Sequence, residues 1–124
     1  MMGIAWSDST PIYRQLKERV VAMVLDEELK AGDALPSVRQ VASDFQLNPI
    51  TVSRAYQELA DEALVEKRRG LGMYIVDGAR EKLLQTERER FLTEEWPQVL
   101  SRIERLGLDT RQLLAVQAPQ GANA

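Results

Sequence analysis

Apolar residues along this chain recur at helical spacing, then at strand spacing, then at helical spacing again. Ile12, Leu16, Val20, Met23, Val24 and Leu29 fall on one face of an amphipathic helix. Thr10 is placed as its N-cap, Pro11 at its first position, and Gly32, in Lys30-Ala31-Gly32-Asp33, at its left-handed stop. Ser37 opens a second helix with Val38, Val41, Ala42 and Phe45 inward and Arg39, Gln40, Ser43 and Asp44 outward. The polar turn Gln46-Leu47-Asn48 leads into a third helix, capped by Asn48, started by Pro49 and reaching about Glu62. Val52, Ala55, Tyr56 and Leu59 form its inward face, leaving Ile50, Thr51, Ser53, Arg54 and Gln57 toward solvent. Residues 1–9 read as an extended lead-in from which Ile4 and Trp6 pack onto the body.

The period then shortens to two. Leu64 to Arg69 and Met73 to Val76 read as strands joined by Arg69-Gly70-Leu71-Gly72, whose glycines supply the positive φ of a tight tip. Two short helices across a tight turn, braced by a longer helix and followed by a hairpin, predict a winged helix-turn-helix over roughly Pro11 to Val76. From Ala79 the chain turns into highly charged helix former through Arg105. Leu92, Trp96, Val99, Ile103 and Leu106 make a short heptad-like seam, interrupted by Pro97, which predicts a kink or a restart. Gly107 ends that helix, and Asp109 caps a last one to about Val116. The predicted class is α+β, mostly α, with no internal repeat. Its parts are a winged helix-turn-helix over 1–78, a helical dimerisation region over 79–116 and a flexible tail over 117–124.

Composition narrows the function. Among 124 residues there is neither histidine nor cysteine, which removes the commonest general base, the commonest metal ligand and the best nucleophile. No enzyme, metal site or cofactor is expected. No apolar run nears the ~20 residues needed to span a bilayer, and nothing signals export, so the expected location is cytoplasmic, with no membrane partner. A formal net charge of -3 argues mildly against a nucleic-acid partner, but net charge does not describe one face. Between Ser37 and Gly72 the charges balance, and three of the five basic residues, Lys67-Arg68-Arg69, are consecutive.

That cluster gives the domain its chemistry. A helix N-terminus presented to the major groove offers free N–H groups to phosphate and short polar side chains to base edges. Asn48, Thr51 and Ser53 fit that need, with Pro49 at the helix start; Arg54 is on the same helix, and Ile50 can touch a thymine methyl. Arg39 can reach phosphate or guanine from the preceding helix, and the Lys67-Arg68-Arg69-Gly70 wing can follow the backbone or enter the minor groove. Taken singly, these are ordinary surface features: an ion-pair partner for Asp44, a helix start, a charged strand edge. Their order and spacing favour DNA.

The same residues carry a family resemblance. Pro11-Ile12-Tyr13-Arg14-Gln15-Leu16, Gly32-Asp33-Ala34-Leu35-Pro36-Ser37-Val38-Arg39, Asn48 to Tyr56, Glu58-Leu59, Leu64-Val65 and Arg69 to Val76 resemble the GntR family of bacterial transcription regulators, over about residues 10–77. The short helical C-terminal part resembles the YtrA subfamily, which lacks a large effector domain. The resemblance implies a homodimer on an inverted-repeat operator, repressing an operon that often includes transporter genes, with any small-molecule effector unknown. It places DNA contacts on Arg39, Asn48, Thr51, Ser53, Arg69 and Gly70. Pro49 and Ser53 stand where other branches often carry arginine, which shifts the expected reading toward Arg39 and the wing. The seam Leu92, Trp96, Val99, Ile103 and Leu106 is the expected dimer interface, the alternative being that it covers the N-terminal domain. Two other functions remain open: a winged-helix protein-interaction module that never touches DNA, and, more remotely, a small hydrolase.

Overall fold

The computed structural model describes residues 6–116. The chain forms two compact units that part between Gln85 and Thr86.

In the first unit, α1 (Ile12–Leu25) buries Leu16, Val20 and Val24. It begins one residue later than the Thr10 cap predicts: Pro11, at φ −57° and ψ 145°, is the N-cap and makes no side-chain cap bond. Gln15 ties down the lead-in instead. Its Oε1 accepts the Ser7 N–H at 2.8 Å, and its Nε2 donates to the carbonyls of Ser7 and Thr10 at 2.7 Å each. Trp6 packs edge-on to Phe45, with ring centroids 6.3 Å apart, while Ile4 lies outside the described residues.

The helix also stops early, at Leu25 rather than near Leu29. Continuing would set Asp26, Glu27 and Glu28 on the negative end of the helix dipole. The backbone turns away at Glu27, φ +62°, and Leu29 packs on the core from the turn. Gly32, φ +88°, is therefore not a helix cap. Its N–H donates to the Ile75 carbonyl at 2.8 Å, and Ala34 bridges Tyr74, so this segment lies along the wing as a short third strip.

The paired helices form where the caps predict. In α2 (Val38–Phe45) the Ser37 hydroxyl accepts the Gln40 N–H at 3.0 Å, and Gln46 ends the helix at φ +53°. In α3 (Pro49–Asp61) Val52, Ala55, Tyr56 and Leu59 are all buried. The Tyr56 hydroxyl donates to the Pro36 carbonyl at 2.6 Å, and burial pushes its pKa up to about 12. Lys17 on α1 pairs with Glu62 and, at 3.4 Å, with Glu58 on α3. Burial pulls the Lys17 pKa down, but the two carboxylates outweigh it and leave the pKa raised.

The wing is an antiparallel hairpin, β1 (Val65–Arg68) and β2 (Gly72–Ile75), with Val65 opposite Ile75 and Arg68 opposite Gly72. At its tip the Leu71 N–H donates to the Arg68 carbonyl at 2.8 Å, with Gly70 at φ +76°. That is the positive φ required at the third position of a type II turn. The core continues into α4 (Ala79–Arg90), where Ala79 and Leu83 are buried, so the first unit runs past residue 78.

In the second unit, the kink or restart expected at Pro97 takes the form of a π-helical turn, Phe91–Glu95, leading into α5 (Trp96–Leu106). Proline has no N–H to donate and its ring crowds the carbonyl four residues back, that of Thr93, where the helix widens. The Thr93 hydroxyl donates to the Glu89 carbonyl at 2.8 Å. Gly107, φ +66°, ends α5, and Asp109 caps α6 (Thr110–Ala115) by accepting the Arg111 N–H at 2.8 Å. Of the seam, Ile103 is buried and Trp96 half-buried, while Leu92, Val99 and Leu106 are exposed. The expected tail, 117–124, lies outside the described residues. No helix among the described residues is long and apolar enough to cross a membrane.

Candidate nucleic-acid interface

The helix-turn-helix and wing place four of the predicted residues, Arg39, Pro49, Ser53 and Lys67, around two adjoining hollows. One is lined by Val38, Arg39, Ala42, Ser43, Leu47 and Pro49, so the start of α2 and the start of α3 share a surface. The other lies between α3 and the wing and brings Ser53 and Gln57 to Lys67, Leu71 and Gly72, again beside Val38. Strand alternation explains which wing cation faces it. Lys67 shares a face with Val65, while Glu66 and Arg68 point the other way. Arg69 and Gly70 are exposed at the tip, Asn48 is exposed and Thr51 half-buried.

The cations divide into two sets. Arg54 lays its guanidinium over the Tyr13 ring, 3.9 Å from the centroid, with Nε 3.9 Å from Glu58. Arg68 stacks on Tyr74 at 4.2 Å and lies 3.3 Å from Glu66. Arg39, Lys67 and Arg69 make no ion pair among the described residues. Arg39 and Asp44 do not pair; Asp44 Oδ1 accepts instead from Gln40 Nε2 at 2.8 Å. An unpaired exposed guanidinium has all its donors available for phosphate.

One expectation is corrected. The N-terminus of α3 holds no free amide donors. Pro49 has no N–H, Ile50 donates to Asn48 Oδ1 at 2.9 Å, and Thr51 and Val52 donate to the Asn48 carbonyl at 2.9 and 3.3 Å. Asn48 thereby commits one lone pair of Oδ1 to the cap and leaves its Nδ2 donors open to a ligand. The start of α2 differs: among the described residues no acceptor takes the Val38 or Arg39 amide. Amide donors and a cation thus coincide at Arg39. The sequence reading did not single out Gln57 or Leu71 as site residues; a large apolar residue between two turn glycines was the available signal for Leu71.

A two-helix reading head flanked by a basic wing defines a DNA-binding winged helix-turn-helix protein. Residues 12–75 match the family model described as bacterial regulatory proteins, gntR family. The chain belongs to that family of DNA-binding transcription regulators. It is 42% identical over 85 residues to the HTH-type transcriptional repressor YtrA of Bacillus subtilis, a match covering 68% of this chain and 65% of that protein, just under two thirds of its length. It is 31% identical over 113 residues to the uncharacterized regulator YhcF of the same organism, covering 91% and 92% of the two chains. Among solved structures, a GntR family transcriptional regulator from Listeria monocytogenes superposes with a TM-score of 0.73 at 31% identity, covering 89% of this chain and 95% of that one. The likeness to YtrA supports a place in the YtrA-like subfamily.

Proposed function

We propose that this protein is a homodimeric repressor that binds an inverted-repeat operator in the cytoplasm and controls an operon containing transporter genes. The observation that carries the DNA contact is the set of unpaired, exposed cations, Arg39, Lys67 and Arg69, around the paired helices and wing. In this reading Arg39 and the open amides beside it hold one phosphate run, and Lys67, Arg69 and Gly70 follow the backbone on the wing side. Asn48 Nδ2, Thr51 and Ser53 face base edges beside Pro49, while Arg54 and Arg68, held on tyrosines, add charge at the rim. Dimerisation is supported by the second unit, where Ile103 is its buried large apolar residue while Leu92, Val99 and Leu106 are exposed. Val99, Ile103 and Leu106, with Trp96, border an apolar groove of about 460 Å³ that a second copy would cover. The named relative YtrA, a repressor, favours repression.

The test is titration of the purified protein against the DNA upstream of its own gene at several salt concentrations. Three cations per subunit on two half-sites predict a log–log slope of about −5, from roughly 0.9 for each neutralised phosphate. Binding that is indifferent to salt, or no preference for that DNA over unrelated duplex, rejects the reading.

A further inference from the structure

We propose that Ile50 is a base-reading residue that selects thymine through its 5-methyl group; the inference deepens the operator-binding reading and rests on it. Two large apolar side chains described in the first unit are more than half exposed, Ile50 at 75% and Leu71 at 68%. Ile50 is the more exposed, and it occupies the first turn of α3, the end of the reading helix that meets the groove.

The backbone N–H donors of that turn are already taken. The amides of Ile50, Thr51 and Val52 all end on Asn48, and Pro49 contributes none. Asn48 Oδ1 already accepts the cap bond, which fixes the orientation of its amide at the helix start. Beside the Asn48 amide the tip presents hydrocarbon outward: the exposed Pro49 ring and the Ile50 side chain. The base edges of the major groove carry one hydrocarbon group, the methyl of thymine. Arg39 lines the same hollow as Pro49, so a phosphate-holding cation sits beside this apolar tip. Covering one methyl there corresponds to about fourfold in affinity per half-site, and about fifteenfold over two.

The experiment uses duplexes enriched by the full-length protein from a random-sequence pool. Their thymines are replaced one position at a time by deoxyuridine, which removes only the methyl, and binding is measured at fixed salt. At one thymine in each half-site the wild type is expected to lose about fourfold, while Ile50→Ala binds the two duplexes alike. The exposure of Ile50 leaves the core untouched by that change. The proposal is overturned if the wild type is indifferent at every thymine, or if Ile50→Ala still discriminates. A pool that yields no enriched sequence instead overturns the operator reading beneath it, and the two failures are thereby distinct.

Discussion

Arg39 and Arg54 carry the same charge on neighbouring helices, yet their surroundings give them different tasks. Arg54 lies on Tyr13 beside Glu58, whereas Arg39 has no partner within the described residues. Arg39→Ala is therefore expected to leave stability within about 0.5 kcal/mol of wild type while weakening operator binding by about 1–3 kcal/mol and lowering the salt slope. Parallel thermal melts and binding titrations separate the two effects; equal operator affinity in the variant removes Arg39 from the interface. Tyr56 makes the opposite kind of contribution. Its hydroxyl is bonded to Pro36 and its folded pKa, about 12, exceeds the unfolded value of about 10. Stability from the neutral phenol is complete below pH 10 and falls by about 1.4 kcal/mol per pH unit from there to the folded pKa. Lys17, its pKa also raised, loses its contribution as pH rises above the ordinary lysine value. The difference between wild type and Tyr56→Phe isolates the phenol: denaturation midpoints measured from pH 9 to 12 should converge as pH rises. The presence of these charges was legible in the sequence, but which were already engaged was not, because Tyr13 and Arg54 meet only after α1 packs on α3.

At the scale of elements, legibility follows how local the cause is. The span of α3 could be read directly, since Asn48, Pro49 and four inward residues all act within one helix. The end of α1 could not be placed, because the signal taken as its stop, Gly32, bonds instead to Ile75, 43 positions away. At Pro97 the need for an interruption was visible, while its form, a π turn, depends on how the carbonyls around Thr93 are accommodated. The start of α3 shows how a readable cap can carry an unread consequence: the amides that Asn48 satisfies are withdrawn from DNA. Asn48→Ala should cost about 1 kcal/mol in stability, as loss of an N-cap generally does. It also releases the Ile50 amide. Chemical denaturation checks the first effect, and an unchanged midpoint would show that the cap contributes nothing.

For the whole molecule, the exposed apolar surface of the second unit is the feature most in need of a partner. Phe91, Leu92, Val99, Leu100, Leu106, Leu108, Leu113 and Leu114 are all exposed, while Ile103 is buried. Isolated surface leucines are ordinary, but a contiguous groove lined by Trp96, Val99, Leu106, Leu108, Leu113 and Leu114 is the kind of patch that marks an interaction site. A symmetric pairing of two copies would also give one assembly two reading heads, matching an operator with two half-sites. Leu106 makes the sharpest test because it is 61% exposed in the single chain. A glutamate there stays hydrated in a monomer and carries little penalty. In a dimer it becomes a buried, unpaired charge, whose cost of several kcal/mol exceeds what a short helical interface can absorb. Leu106→Glu is therefore expected to sediment as a monomer where the wild type sediments as a dimer, with the unfolding of the first unit unchanged. Operator affinity should fall by about 10²–10⁴, the gain that linking two binding modules supplies. A variant that remains dimeric moves the interface elsewhere, and a monomeric wild type at operator-saturating concentration removes it.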